Sequence, residues 1–260
     1  MNKNVRKKRG LDSEGARKVR QQGHDDALEF ALSIGLDTDY QNDAKAKKDV
    51  IDPSGDGHSV KSGNKKWQIF LYGLNRFEAD ESFAVMNGMG TLLINCINAF
   101  PLSFEEYQTN KTECKEALRI PMRALAEKLQ KPIRLKAFLS KAIFNGGEVD
   151  YWTIKHEGVF HVFYYRDVID VMSKYFEVCN SRAISKGQFP EQKVLLKYNG
   201  LNVGEIEMRN DSLIHYRQIR FNMIKPRAME LLFEKIPFTK KYNDNVFLYG
   251  QTEKRFGRWK

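Results

Sequence analysis

The sequence predicts an α/β (α+β) fold, in which a mixed β-sheet is flanked by helices and a β-hairpin portion is added towards the C-terminus. Between residues 24 and 97 the pattern runs helix, hairpin, helix, strand, which is typical of a compact mixed core. Two later segments alternate around the turns His156-Glu157-Gly158 and Asn199-Gly200, which predicts two hairpins. The chain has 260 residues and 42% hydrophobic content, enough for one large domain or two small ones.

Apolar spacing and turn residues define the elements of the N-terminal half. Residues 11–35 have an apolar helical face and a stop at Gly35. Asp49–Ile51 and Ser59–Lys61 are short strands joined by a turn rich in Pro and Gly. Trp67–Phe77 is predicted to be helical, and Thr91–Ile97 is predicted to be a buried strand.

The rest of the chain divides in the same way. Residues 103–144 have helical spacing with breaks near Pro121 and Pro132. Hairpins are predicted over residues 151–165 and 193–208, and the last predicted element is a helix over residues 224–236. We expect three regions: residues 1–10 as a basic disordered arm, residues 11–150 as the core with a helical insertion, and residues 151–260 as a β-rich portion. One continuous domain is the alternative to a division at residue 150.

Charge and composition narrow the function classes. Residues 1–22 carry eight basic and two acidic groups, and residues 209–260 carry twelve basic and five acidic groups, within a net charge of +10. Basic ends favour contact with a polyanion, although a solubilising tail with ordinary surface lysines is the alternative. No apolar run approaches the roughly 20 residues of a membrane span, and no signal peptide is evident. Three well-separated cysteines form neither a disulfide framework nor a zinc site, so a cytoplasmic protein is expected.

The stretch "KKDVIDPSGDGHSVKSG" holds residue types suited to phosphodiester hydrolysis. Magnesium held by carboxylates activates water and neutralises the leaving oxygen, and a nearby Lys stabilises developing charge. Asp49 begins one predicted strand and Lys61 lies on the next, so the two side chains can meet at the edge of a sheet. Ser59 and Lys61 point to the same face of their strand.

This segment resembles the PD-(D/E)xK nuclease superfamily, and within it the type II restriction endonucleases. Asp49 and Ser59-Val60-Lys61 carry the resemblance, together with the Gln68-x-x-x-Tyr72 pattern on the following predicted helix. The resemblance covers about residues 24–98. It implies a homodimer that cuts double-stranded DNA at a short specific sequence with Mg²⁺ and is paired with a DNA methyltransferase. Asp49, a helix carboxylate and the Val60 carbonyl would hold the metal, and Lys61 would assist the water.

Ser59 departs from the family pattern, which usually has Asp or Glu at this position. In a subgroup with S-x-K, the missing carboxylate comes from the next helix, where Glu78 is the candidate. In other members the first helix supplies a carboxylate, and Glu29 is then the candidate that we favour. Asp52, before Pro53, is expected to be a turn residue.

A second signal lies in the C-terminal region, where basic residues are interleaved with aromatic and amide residues. Arginine and asparagine are suited to base edges, and lysine and tyrosine often contact phosphates. A hairpin with exposed arginines is the alternative reading. The candidate DNA-binding residues are Arg209, Asn210, His215, Tyr216, Arg217, Arg220, Lys225 and Arg227.

Two other functions are compatible with these patterns. A structure-specific or DNA-repair nuclease would keep the fold and read junctions, ends or mismatches. A catalytically inactive DNA-binding protein would account for Ser59, the gap in the motif.

Overall fold

The structure is a computed structural model and describes residues 13–84 and 86–259. The predicted basic arm over residues 1–10 lies outside the described residues. The strands, in chain order, are β1 Val50–Ile51, β2 Gly57–Lys61, β3 Lys66–Tyr72, β4 Tyr151–His156, β5 Val159–Tyr164, β6 Glu177–Asn180, β7 Lys193–Tyr198, β8 Leu201–Arg209, β9 Gln218–Ile224, β10 Phe238–Asn243 and β11 Val246–Tyr249.

Helices occupy the N-terminus, the centre of the chain and the segments between strands. They are α1 Ser13–Ser33, α2 Leu74–Ala79, α3 Glu81–Ala84, α4 Met89–Asn98, α5 Phe104–Thr109, α6 Lys111–Leu129, α7 Pro132–Phe144, α8 Tyr165–Tyr175 and α9 Lys225–Lys235. A 3₁₀ helix follows over Gly250–Lys254.

The strands form two sheets. The first has the order β1-β2-β4-β5-β11-β10 and is mixed, because β2 runs parallel to β4 and β5 runs parallel to β11. The second has the order β3-β9-β8-β7-β6 and is antiparallel throughout. Helix α8 packs on β4 and β5 of the first sheet, and α9 packs on β8 and β9 of the second. The two helices also contact each other, so they lie between the sheets and connect them.

Two hydrophobic cores lie on opposite faces of the first sheet. Alternation along β4 sends Trp152 and Ile154 into the larger core, which also contains the apolar face of the second sheet. Tyr151 faces the smaller core, where Phe30 of α1 and Phe256 pack. Helix α1 therefore covers the face of β2 that carries His58 and Val60.

The α/β class, both predicted hairpins and the helices at 11–35 and 224–236 are confirmed for the described residues. The turns at Glu157-Gly158 and Asn199-Gly200 have the positive φ angles that tight hairpins require. The predicted break at Pro132 is also confirmed, because this residue begins α7.

Two predicted elements are wrong. The helix at Trp67–Phe77 is strand β3 as far as Tyr72, because a β-bulge between Gln68 and Phe70 places Ile69 and Phe70 both in the core and imitates a helical period. Residues 91–97 belong to α4, whose short apolar run fits either period.

Pro121 lies inside α6 and does not end it. Burial of Leu118, Met122 and Leu125 on either side of the proline outweighs its cost of about 3 kcal/mol. The hairpin of β10 and β11 after α9 had no sequence prediction.

Buried His161 on β5 makes stability depend on pH. Burial, with His156 nearby, lowers its pKa from 6.5 to about 4, so the folded state binds fewer protons than the unfolded state between those values. Its contribution to stability is complete above pH 6.5 and is lost as the pH falls towards 4. We expect the Tm of the wild type to fall across this window and that of His161→Gln to fall less. Exposed His24→Gln is the control and should retain the wild-type slope; an unchanged slope in His161→Gln would contradict the assignment.

Candidate active site

The hairpin of β1 and β2 is held by its own turn. The Asp52 carboxylate accepts hydrogen bonds from the backbone N–H groups of Ser54, at 2.9 Å, and Asp56, at 3.0 Å. The backbone N–H of Gly55 donates to the Asp52 carbonyl at 2.9 Å. Asp52 is therefore a turn residue, as predicted.

His58 fixes β2 from the face opposite the candidate catalytic residues. Its ring is fully buried, stacks on Tyr151 at 4.7 Å and lies 4.9 Å from the ring of Phe30. Nδ1 contacts the Thr153 hydroxyl at 2.9 Å, and Nε2 lies 3.4 Å from the Asp52 carboxylate. With both nitrogens engaged inside the protein, His58 anchors the strand.

Asp49, Ser59 and Lys61 meet on the other side of the hairpin. The backbone N–H of Val60 donates to Asp49 Oδ2 at 2.7 Å, which fixes this carboxylate against β2. Lys61 Nζ donates to the Ser59 hydroxyl at 2.8 Å and lies 3.7 Å from Asp49 Oδ2. The side chains of Lys61 and Asp49 are 24% and 38% exposed, so both remain accessible to a substrate.

A cavity of about 230 Å³ opens beside these residues. Arg20, His24 and Ala27 of α1 form one wall, and Val60 and Lys61 form the opposite one. The remaining lining comes from Gly23 of α1 and from the segment before β1, namely Tyr40, Asn42, Ala44, Lys48 and Asp49. Within this lining Asp49 is the acid among several basic residues, so the cavity is suited to an anion.

Lys47 lies beneath the site and is partly buried. Its ammonium donates to the carbonyl oxygens of Ile69, at 3.3 Å, and of Ala142. Burial, followed by the charges of Lys61, Lys141 and Arg76, lowers the pKa of Lys47 to about 7, while Asp49 opposes this shift. Lys47 also has a positive φ of 62°, so its backbone is held in an unfavourable conformation two residues before Asp49.

The positive charges around Lys47 were not predicted from the sequence. Lys141 Nζ, on α7, lies 3.0 Å from the Asp80 carboxylate, which also contacts Arg76 at 3.4 Å. Lys47 was visible only as one of several lysines before Asp49. The approach of α7 depends on tertiary packing that no local pattern reveals.

The oxygen donors near Lys61 fit a magnesium ion with few protein ligands. The Asp49 carboxylate and the Val60 carbonyl lie at the same edge of the hairpin, and magnesium accepts one or two carboxylates with water and phosphate oxygens completing its shell. Across residues 13–84 and 86–259, no three His, Cys, Asp or Glu side chains come together as a metal-binding group. The fit therefore depends on oxygens that a substrate and water would provide.

The two candidates for the missing carboxylate lie away from this cavity. Glu29 pairs with Lys155 Nζ at 2.6 Å, beside Asp26, which contacts the same nitrogen at 2.8 Å. These acids occupy the stripe of α1 next to the one that lines the cavity. Glu78 is exposed on α2, and Gln68 is exposed on β3 in the second sheet, so the predicted helix bearing Gln68 and Tyr72 is wrong.

The predicted DNA-binding residues have partners inside the protein. Arg209 pairs with Asp211 at 2.7 Å, and Arg220 pairs with Glu207. The remaining contacts are Asn210 with Tyr107, His215 with Gln218, Tyr216 with the Pro101 carbonyl, Arg217 with Asn98, Lys225 with the Lys155 carbonyl and Arg227 with the Asn202 carbonyl. They are spread over β8, the following loop, β9 and α9.

Comparison with protein-family models and with curated proteins finds no match to this chain. In the part of the chain that the structure describes, none of the helices combines the length and the apolar character needed to cross a membrane.

A substitution at Tyr216 tests whether this residue stabilises the fold or contacts nucleic acid. Its hydroxyl donates to the Pro101 carbonyl at 2.8 Å, and its ring packs 5.1 Å from Phe104. We expect Tyr216→Phe to lower the free energy of unfolding by about 1 kcal/mol through the lost hydrogen bond and to leave DNA affinity unchanged. Urea unfolding and a duplex-binding titration measure the two effects. A large loss of affinity at unchanged stability would make Tyr216 a nucleic-acid contact.

Proposed function

We propose that this protein is a Mg²⁺-dependent endonuclease that hydrolyses phosphodiester bonds of double-stranded DNA at a short specific sequence, as a type II restriction endonuclease does. The observation that carries this proposal is the meeting of Asp49, Ser59 and Lys61 at one point of an antiparallel hairpin, with 3.7 Å between Lys61 Nζ and Asp49 Oδ2. A lysine ammonium beside a carboxylate on an open sheet edge is suited to charge stabilisation during phosphoryl transfer.

Each residue has a role that follows from its contacts. Asp49 is oriented by the Val60 N–H and, with the Val60 carbonyl, would hold the metal. Bound Mg²⁺ would supply charge neutralisation and an activated water. Lys61, oriented by the Ser59 hydroxyl, would stabilise the charge that develops on the phosphoryl oxygens. Ser59 thus positions Lys61 and does not replace the missing carboxylate.

The proposed substrate follows from charge. The wall of the cavity carries Arg20, His24, Lys48 and Lys61, and the whole chain has a net charge of +10. Such a surface favours a polyanion. A palindromic recognition site would match a two-fold symmetric protein, so we propose a homodimer that works with a cognate DNA methyltransferase.

Asp49→Ala and Lys61→Ala are expected to reduce Mg²⁺-dependent DNA cleavage by at least about 10³-fold, because both remove groups that act on the reacting phosphate. DNA binding should remain, since neither group is needed to fold the hairpin. Exposed Asp244→Ala and Lys186→Ala are matched controls that should cleave like the wild type. Cleavage at the wild-type rate by either site variant would overturn the assigned site.

Digestion of several plasmids with Mg²⁺ distinguishes this function from its alternatives. Discrete fragments support site-specific cleavage. A smear, or cutting confined to branched or mismatched DNA, would instead support a structure-specific or repair nuclease. A shift of DNA mobility in gels without any cutting would support a catalytically inactive DNA-binding protein, the alternative that would account for Ser59.

The position of Glu29 leads to a separate prediction. Its carboxylate pairs with Lys155 on the stripe of α1 that does not line the cavity. We therefore expect Glu29→Gln to cleave within about tenfold of the wild type, whereas Asp49→Asn loses activity as a metal ligand. Glu78→Gln, which changes the second candidate, is measured beside them in the same cleavage assay. If Glu29→Gln is as inactive as Asp49→Asn, the α1 carboxylate joins the metal site, as the sequence analysis favoured.

A further inference from the structure

The N-terminal half of α1 extends past the sheet that the rest of the helix covers. Residues 16–25 are exposed, whereas Asp26, Ala27, Phe30 and Ala31 are buried. Ten helical residues span about 15 Å, so a substantial length of helix is surrounded by solvent on most sides. Tertiary packing does not explain why this part of α1 is kept in place.

One side of this exposed half-helix is basic. Arg17, Arg20 and His24 follow a spacing of three and four residues and therefore share a stripe. Together with Lys18 and Gln21, they line a hollow of about 450 Å³. Arg20 and His24 also line the cavity that contains Asp49 and Lys61, so the basic stripe continues into the candidate active site.

These arginines differ from those of the C-terminal region. Within residues 13–84 and 86–259, no carboxylate pairs with Arg17 or Arg20, whereas Arg209 and Arg220 are held by Asp211 and Glu207. Two guanidinium groups in solvent are thus available to an external anion. The sequence of residues 1–12 adds five basic residues and one acidic residue to the same end of the chain.

Gly23 supplies an independent observation. It lies in the interior of α1 and lines the cavity, and a Cβ placed there would meet no atom within 4 Å. Glycine inside a helix costs up to about 1 kcal/mol relative to alanine, and no packing requirement explains it here. Glycine is favoured where a ligand approaches the backbone closely.

We propose that this half of α1 is a phosphate-binding wall of the cleft, where Arg17, Arg20 and His24 contact the sugar-phosphate backbone of a nucleic-acid duplex and Gly23 gives the backbone room to approach. The inference extends the proposed function, because it identifies the surface along which the substrate enters. From Arg17 to His24 the helix advances about 10 Å, which corresponds to about three phosphates of one strand along a duplex axis.

The test uses a Lys61→Ala background, so that binding is measured without cleavage. Affinity for a random-sequence duplex is measured across a salt series with Arg17→Ala/Arg20→Ala added. We expect about tenfold weaker binding and a salt slope smaller by about 1.8, because two phosphate contacts are lost. Alanine preserves the helix. Arg182→Ala/Lys186→Ala, in an exposed loop, removes the same charge elsewhere and should change neither quantity by as much.

Gly23→Ala gives a readout of opposite sign. Alanine should raise the Tm, because it favours the helix, and should weaken duplex binding, because its methyl group enters the cleft. A merely structural Gly23 would raise the Tm and leave binding unchanged, which would count against the inference.

The outcomes separate this inference from the proposed function. If the wild type cleaves DNA and the α1 variants bind like their controls, the phosphate wall is wrong and the nuclease stands. If no DNA is cleaved but the α1 variants lose duplex affinity, the wall stands and the nuclease falls. Equal losses in Arg17→Ala/Arg20→Ala and in the loop control would reduce the effect to net charge and overturn the wall. The phosphate wall would also be overturned if the α1 variants lost affinity for vesicles of anionic lipid and kept the duplex affinity of their background.

Discussion

Strand β2 is the constraint on which the candidate site depends. It pairs with β1 on one edge and, in parallel, with β4 on the other, so residues 57–61 are held from both sides. Its alternation then sends His58 into the aromatic core under α1 and Ser59 and Lys61 to the opposite face. A shift of one residue would exchange these faces, bury a lysine and expose the histidine. The buried His58 ring thus fixes the register that brings Lys61 to Asp49.

Tertiary packing gathers several positive charges beneath the site. Lys61, Lys141 and Arg76 each act on the charge of Lys47, and among the described residues Asp49 and Asp80 form ion pairs with members of this group. Burial is the first cause of the lowered pKa of Lys47, and repulsion from these like charges adds to it.

The proximity of Asp49 and Lys61 could be predicted from the sequence, because the two residues are close along the chain. Asp49 and Lys61 flank one short turn, so strand alternation alone brings them together. The sequence pattern gave the wrong element for β3, where a β-bulge produces a spacing like that of a helix. It also gave the wrong element for α4, whose short apolar run fits a helix or a strand. The pairing of Glu29 with Lys155 and the approach of Lys141 to Asp80 join residues far apart in sequence. Local patterns carry no information on such contacts.

Two of the C-terminal arginines have internal ion pairs that differ in burial. Glu207 is only 10% exposed and pairs with both Arg220 and Lys193, so withdrawing Arg220 would leave this carboxylate with one cationic partner instead of two. Asp211 is 64% exposed, and an ion pair with such a partner contributes about 0–1 kcal/mol. A bidentate contact with guanine provides about 1–3 kcal/mol of discrimination, which exceeds the contribution of the exposed Asp211 pair. The Arg209–Asp211 pair is therefore the more easily exchanged of the two, whereas Arg220 of β9 and Lys193 of β7 both hold the Glu207 carboxylate of β8.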